Sequence, residues 1–293
     1  MKVFVTGATG LIGTAVVREL EKKGHEVLGL ARSDAAAAAL ERAGATPHRG
    51  ELADRASLAA GAKAADGVIH LGMVMDFSDV PKIFRVDREA IETMGTALAG
   101  KPFVGTTGTL VLEPGKIGTE DDAGDPKSPA HFRVEAENLA LAYGSVVRCA
   151  PSVHGEADSH GFVPMLVAAA RKAGFSAWIG DGENRWPAVH VSDCARVFVS
   201  ALERGTKGTR YHAVGDEGVR TRAIAEAIGR GLGVPAKSIT REEAIAQLGP
   251  FLGSLFGEDN PASNALTRKR LEWEPTGLGL LADLELPHYF AQR

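Results

Sequence analysis

The chain has 293 residues, of which 44% are apolar and 24% are charged, and its formal net charge is −4. These values are typical of a soluble globular protein, built as one large α/β domain or as a nucleotide-binding domain with a smaller lobe. The acidic balance argues against a nucleic-acid partner, and no apolar run approaches the ~18 residues that span a bilayer. We therefore expect neither nucleic acid nor a membrane as a partner.

The chain begins with a short apolar strand that leads into the segment GATGLIG at residues 7–13. Gly7 can take φ values that a Cβ forbids, Gly10 lets a pyrophosphate approach the backbone, and Gly13 lets the next helix pack closely. The amphipathic helix predicted over residues 11–22 offers free N–H groups and its positive dipole end to phosphates. This context predicts a dinucleotide site. Its predicted contacts are Gly7, Thr9, Gly10, Leu11, Ile12 and Gly13.

The glycine-rich loop begins where the apolar region of a signal peptide would lie, which argues against such a peptide. The two cysteines, Cys149 and Cys194, both lie in apolar stretches. We expect them to be reduced, buried thiols in a cytoplasmic protein.

Short apolar strands alternate with helical patterns over the first 150 residues. Strands separated by helices pair in parallel through right-handed crossovers, which predicts an α/β fold with a doubly wound sheet of the Rossmann type. The strands are predicted at residues 3–6, 26–31, 67–71, 103–106 and 146–149, and the helices at 11–22, 34–43, 57–62, 83–98 and 132–143.

The end of the second predicted strand favours one of the two nicotinamide cofactors. A site that prefers NAD usually carries an acidic residue here, but this strand ends in Arg32 and Ser33, with Asp34 beyond them. A guanidinium can bind a 2′-phosphate through two hydrogen bonds, and the serine hydroxyl can add another. The alternative is a solvated Arg32 beside a helix cap at Ser33 or Asp34. We expect NADP(H) to be preferred over NAD(H).

After residue 150 the elements become short and mixed, with frequent glycine and proline. Residues 151–187 and 214–293 are predicted to form a smaller substrate lobe over the carboxyl edge of the sheet. Residues 1–150, with about 188–213, are predicted to form the cofactor domain. Within the latter range, residues 189–191 and 210–213 are candidates for a return to the main sheet.

Five further segments stand out in chain order: VIHLG at 68–72, FVGTTGT at 103–109, RCAPSVHG at 148–155, PAVHVSDCA at 187–195 and LEWEP at 271–275. With the glycine loop, they resemble the short-chain dehydrogenase/reductase superfamily in its extended or atypical type, similar to NAD-dependent epimerases and dehydratases. The resemblance covers nearly the whole chain. Further cofactor contacts are expected at Leu52, Leu71, Gly72, Thr106, Pro151, Ser152 and Val153.

The resemblance also implies a catalytic pair that this chain has replaced. The family uses a tyrosine and a lysine four positions later, and His131 and Glu135 stand at those positions. Some atypical subgroups carry His in place of the tyrosine and another basic residue further along, and Arg133 is the nearest base here. The family's serine or threonine on the fifth strand is expected at Thr107, with Thr109 as the alternative, although the strict alignment places a glycine there.

A histidine can exchange a proton near neutral pH, so His131 is a candidate proton donor. Glu135, one helical turn later, could bind the imidazole and fix its tautomer. The alternative is that both are solvated residues at the start of a helix.

These observations predict an NADPH-dependent oxidoreductase that reduces a small carbonyl-type substrate. The alternatives are a catalytically silent NADP(H)-binding sensor or regulatory protein, and an enzyme that acts on sugar nucleotides like the epimerases and dehydratases. His154, Asp158 and His160 lack the spacing of a metal site, so no metal is expected. A homodimer is left open. Apolar side chains expected at a substrate pocket are Met73, Met75, Phe77, Phe162, Trp178, Trp186 and Phe251, with core packing an equal alternative for Trp178.

Overall fold

A computed structural model describes residues 1–74, 79–128 and 130–291. Its strands, numbered β1 to β12 in chain order, are Lys2–Thr6, Glu26–Ala31, Thr46–Arg49, Gly67–His70, Phe103–Gly108, Ser145–Cys149, Ser152–His154, Ser176–Ile179, Arg185–His190, Arg210–Ala213, Asp216–Arg220 and Ala236–Ile239. Its helices, α1 to α12, are Leu11–Lys22, Asp34–Arg42, Arg55–Lys63, Val80–Ala97, Phe132–Tyr143, Phe162–Ala173, Val191–Arg204, Thr221–Leu232, Arg241–Leu248, Pro250–Leu255, Ala265–Leu271 and Leu280–Asp283. Short 3-10 turns lie at Thr109–Val111 and Pro287–Tyr289.

Seven strands form one parallel sheet in the order β10-β6-β5-β4-β1-β2-β3. Every residue of β4 and β6 is buried, because helices cover both faces of the sheet. Helices α1 and α7 pack on one face, and α3, α4 and α5 pack on the other. The predicted doubly wound α/β fold is confirmed. The carboxyl ends of all seven strands therefore meet at one edge.

The remaining strands form a three-stranded sheet, β11-β9-β7, and a parallel pair, β12-β8. They pack with α6, α8 and α10 around a separate apolar cluster that contains Trp186, Ile224 and Phe256. Among the described residues, no helix combines the length and the apolar character that a membrane crossing needs.

Several predicted elements need correction. Residues 189–191 do not return to the main sheet, because β9 pairs with β7 and β11, whereas residues 210–213 do form its edge strand. The strand β3 was not predicted, since its sequence TPHR has no run of apolar residues. Helix α3 is longer than predicted, because Asp54 caps it by accepting a hydrogen bond from the Ser57 amide.

Candidate cofactor and active site

The glycine loop at the carboxyl end of β1 is packed too closely for side chains. Gly7 has φ +67°, and a Cβ there would lie 2.8 Å from the Gly72 amide nitrogen. A Cβ on Gly13 would lie 2.0 Å from the Gly7 carbonyl oxygen. Helix α1 begins after Gly10, and no described side chain caps it. No described side chain therefore occupies the first N–H groups of α1, and these groups can bind a phosphate.

The loop lies against the segment after β4, because β1 and β4 are neighbours in the sheet. The Gly72 amide donates to the Thr6 hydroxyl at 3.0 Å. A Cβ on Gly72 would lie 3.0 Å from the Leu52 side chain. Residues 7, 52, 71 and 72, predicted separately as cofactor contacts, thus form one surface.

The end of β2 presents an available cation. Arg32 is exposed and forms no hydrogen bond or ion pair with any described residue. Ser33 caps α2, where its hydroxyl accepts from the Ala36 amide at 3.2 Å and keeps its own hydrogen to donate. The Asp34 carboxylate is paired with Arg49 at the end of β3. The nearby carboxylate therefore has a cationic partner, while Arg32 has no partner among the described residues.

A buried polar chain joins the ends of β1, β4 and β5. The Thr6 hydroxyl donates to Nδ1 of His70 at 2.6 Å, and Nε2–H of His70 donates to the Asp87 carboxylate at 3.1 Å. Because a carboxylate can only accept, this pattern fixes the Nε2–H tautomer of His70. Arg133 then joins Asp87 (2.9 Å) to the carbonyl oxygen of Thr106 (2.7 Å), whose hydroxyl donates back to the His70 carbonyl.

Asp87 was not identified from the sequence as a site residue, although its position in the apolar pattern of α4 indicated one. It lies at helical spacing among Ile83, Ile91 and Met94, all buried, so a charged residue stands on the inner face of α4. Burial raises the pKa of the Asp87 carboxyl, but the hydrogen bond from His70 and the charge of Arg133 outweigh it and lower that pKa. The pair gives Arg133 a fixed place at the carboxyl edge of the sheet.

Thr107 lies in a second buried network, on the side of β5 that faces α5. Its hydroxyl donates to Glu137 at 2.9 Å, and Glu137 also accepts from Arg148 and Arg210, at 2.6 Å from each. Both Glu137 and Arg148 have no exposed side-chain surface. Thr107 is therefore already bound within the protein, whereas the alternative, Thr109, is buried with its hydroxyl oxygen unpartnered among the described residues.

His131 lies where the sequence predicted it, exposed at the start of α5. Its Nδ1 lies 2.9 Å from the carbonyl oxygen of Ser128. Glu135 is exposed and forms no hydrogen bond or ion pair within the described residues, so the predicted His131–Glu135 hydrogen bond is absent. The charged neighbour that reaches the sheet edge from α5 is Arg133.

The segment after β6 crosses from the main sheet to the small one. Ser152 is buried, Pro151 and Val153 are half-buried, and β7 pairs in parallel with β9. Cys149, just before this segment, has its Sγ 3.8 Å from that of Cys194, and both are buried free thiols as predicted.

The predicted pocket residues do not form one group. Trp186 is fully buried, with its ring centroid 5.6 Å from that of Phe162 and 5.5 Å from that of Phe256, so it belongs to the core. Trp178 stacks against the Arg222 guanidinium. Met75 and Phe77 lie outside the described residues, as does the side chain of Phe251. Within the described ranges, no cluster of His, Cys, Asp and Glu could hold a metal ion.

Comparisons with known proteins agree with this geometry. The model of the NAD dependent epimerase/dehydratase family matches residues 3–82. An uncharacterized protein of Schizosaccharomyces pombe is 45% identical, over 99% of this chain and 100% of its own. The decarboxylating sterol-4-alpha-carboxylate 3-dehydrogenase of Dictyostelium discoideum is 26% identical over 75% of this chain and 73% of its own. The crystal structure of a human epimerase family protein with NADPH has a TM-score of 0.75 at 21% identity, covering 97% of this chain and 98% of that chain.

Proposed function

Since the chain belongs to the short-chain dehydrogenase/reductase superfamily, in its NAD-dependent epimerase/dehydratase branch, we propose that it is an NADPH-dependent oxidoreductase of a small carbonyl compound. The family is one of NAD(P)-binding proteins with a Rossmann fold, and related chains are named as a dehydrogenase and a ketoreductase. The choice of NADPH and the carbonyl substrate go beyond the family and rest on particular residues.

The residues present fit a dinucleotide. The cradle at Gly7 and Gly13 leaves no room for a Cβ, and the uncapped start of α1 suits a pyrophosphate. Arg32 and Ser33 would hold a 2′-phosphate, and Pro151 to Val153 would lie on the nicotinamide side. When bound, the cofactor supplies the hydride.

His131 would supply the proton. A carbonyl oxygen only accepts, so the contact with Ser128 places a hydrogen on Nδ1 of His131 and leaves Nε2 as the nitrogen that exchanges protons. In the direction of reduction, protonated His131 donates from Nε2 to the substrate oxygen. Arg133, held by Asp87 and the Thr106 carbonyl, adds a positive charge that favours negative charge developing on that oxygen.

The observation that carries the choice of cofactor is the pairing at the end of β2. Arg32 is exposed and has no partner among the described residues, whereas Asp34, the carboxylate that would repel a 2′-phosphate, is paired with Arg49. We expect NADPH to bind at least tenfold more tightly than NADH, a difference of about 1.4 kcal/mol that one charge-assisted contact can supply.

Titration of both cofactors into wild type and Arg32→Ala tests this expectation. The variant should lose most of the preference, while Arg18→Ala, which changes another exposed arginine on the outside of α1, should keep it. Equal affinities in wild type, or a preference that survives in Arg32→Ala, would contradict the assignment. Oxidation of NADPH in the presence of aldehydes, ketones and enones then tests for the reductase activity.

A second candidate function, a catalytically silent NADP(H) sensor, is favoured by two observations. The Thr107 hydroxyl is bound to Glu137, and Glu135 does not touch His131. Tight NADPH binding without turnover of any carbonyl compound would select the sensor over the reductase.

A further inference from the structure

Residues 283 and 289 contact the end of the segment that carries Pro151 to Val153. Nδ1 of His154 lies 2.8 Å from the Asp283 carboxylate, and the amide of Gly155 donates to the Tyr289 hydroxyl at 3.0 Å. The Tyr289 hydroxyl in turn lies 3.3 Å from the Asp283 oxygen that His154 contacts. Two residues near the C-terminus thus hold two consecutive residues of the β7 segment.

These contacts are shielded from water. His154 has no exposed surface, and Asp283 and Tyr289 are 2% and 7% exposed. Because a carboxylate only accepts, Nδ1 of His154 carries the hydrogen in its contact with Asp283. Within a buried site, loss of the Tyr289 hydroxyl leaves the Gly155 amide without an acceptor, which costs more than loss of a hydrogen bond at the surface.

The segment has little freedom to find another arrangement. Gly155 has φ +145°, and a Cβ there would lie 3.1 Å from Val191 and 3.2 Å from His190. On its other side, β7 is fixed to β9 in a register that pairs His154 with His190. Tyr289 itself is anchored in the apolar cluster of the small lobe, with Leu280 and Leu284.

We propose that Asp283 and Tyr289 form a C-terminal latch that positions residues 151–155 against the nicotinamide half of the dinucleotide. The latch rests on the proposed function, since it requires that the protein bind NADPH. Tyr289 is a positioning residue: it acts on the cofactor through the Gly155 amide and the loop before it. The adenosine half, which would be bound by the glycine loop and Arg32, lies on other elements and is independent of the latch.

The test compares two ligands in Tyr289→Phe, which removes one hydroxyl and keeps the ring. NADPH should bind about fivefold to tenfold more weakly than to wild type. Adenosine 2′,5′-bisphosphate, which lacks the nicotinamide half, should bind within twofold of wild type. Tyr143→Phe is the matched control, because the Tyr143 hydroxyl lies on α5, 3.3 Å from that of Thr96, and should alter neither affinity.

Asp283→Asn provides a second variant, which keeps the shape of the side chain. It should lower the affinity for NADPH and leave that for adenosine 2′,5′-bisphosphate unchanged. In the cofactor-free protein, hydrogen exchange at the Gly155 amide should be faster in Tyr289→Phe than in wild type. Equal weakening of both ligands would show a general loss of structure, and unchanged NADPH affinity would show that the hydroxyl does not position the loop; either result overturns the latch. Failure of wild type to bind NADPH would instead overturn the proposed function.

Discussion

His131 and Arg133, two residues apart at the start of α5, have different surroundings and therefore different proposed roles. Arg133 reaches the carboxyl edge of the sheet and is fixed there by Asp87, whose lowered pKa keeps it ionised. His131 is exposed, and its Nδ1 contacts the carbonyl oxygen of Ser128. A fixed positive charge beside an orientable imidazole is an arrangement that can stabilise and protonate an oxyanion.

If the protein is a reductase, replacement of His131 should remove the proton donor. General acid catalysis typically contributes ~10²–10⁴-fold, so His131→Ala should lower kcat by about that factor while NADPH affinity stays nearly unchanged. His131→Asn should be equally damaging, because the amide retains a hydrogen bond but transfers no proton. Steady-state kinetics on any substrate found would measure both.

Glu135→Gln is the matched control on the same helix. The sequence suggested that this carboxylate holds the imidazole, but it makes no such contact, so the variant should keep kcat within about twofold of wild type. If both His131 variants retain near-normal turnover, the proton comes from another group.

At the scale of elements, the glycine loop and α1 act as one unit whose two inner glycines have different neighbours. A Cβ on Gly13 would meet the Gly7 carbonyl at 2.0 Å, whereas a Cβ on Gly10 would lie 3.4 Å from the same oxygen, an ordinary contact. Gly13 is therefore required by the close packing of α1 on the loop after β1. At Gly10 the protein itself leaves room for a Cβ, so we assign the lack of a side chain there to ligand binding.

This difference predicts that two small substitutions both weaken cofactor binding but differ in their effect on stability. Gly13→Ala should lower the free energy of unfolding by about 1–3 kcal/mol, because the backbone must move, and should abolish tight NADPH binding as well. Gly10→Ala should leave the free energy of unfolding within about 0.5 kcal/mol of wild type. It should lower the affinity for NADPH at least tenfold, because its methyl group obstructs the pyrophosphate. Urea unfolding and cofactor titration separate the two; equal effects on stability would contradict the role given to Gly10.

The elements that sequence predicted best were those whose signals are local. The bounds of α1, α5 and β2 agree with their periodic apolar patterns. The apolar pattern around Val189 marked a strand but could not show which sheet it joins, because pairing is decided by distant partners. The hydrogen bonds from Arg148 and Arg210 to Glu137 could not be predicted either. These three residues are distant in sequence and come together only in the folded sheet.

Across the whole molecule, the main sheet ends in a buried charged region whose protonation depends on folding. Arg148 of β6 and Arg210 of β10 both bind Glu137 of α5. His212 of β10 lies 3.5 Å from Arg148 and has no exposed surface. Burial, and then the charge of Arg148, lower the pKa of His212 to about 3. The folded protein therefore keeps this imidazole neutral at pH values where the unfolded chain protonates it.

The sign of the resulting pH dependence follows from proton binding. Between about pH 6.5 and pH 3 the unfolded state holds one more proton at His212, so the free energy of unfolding falls as the pH falls. One such proton gives a slope approaching about 1.4 kcal/mol per pH unit. Between pH 6.5 and 5, where carboxylates contribute little, urea unfolding should show a shallower slope for His212→Asn, whose amide can still donate to the Ser263 carbonyl.

His160→Asn, in an exposed loop, should retain the wild-type slope. Burial and the nearby His154 also lower the pKa of His190, but that contribution is common to the proteins compared. Identical slopes in wild type and His212→Asn would show that the buried imidazole does not govern acid sensitivity.

The position of β10 also determines when the molecule can finish folding. Strand β6 is complete at Cys149, but its outer neighbour begins only at Arg210, so the growing chain carries an unpaired strand edge for roughly 60 residues. At ~5–20 residues per second, a ribosome needs on the order of 3–12 s to supply the missing strand. During that interval the unpaired edge of β6 is open to edge-to-edge pairing with other chains.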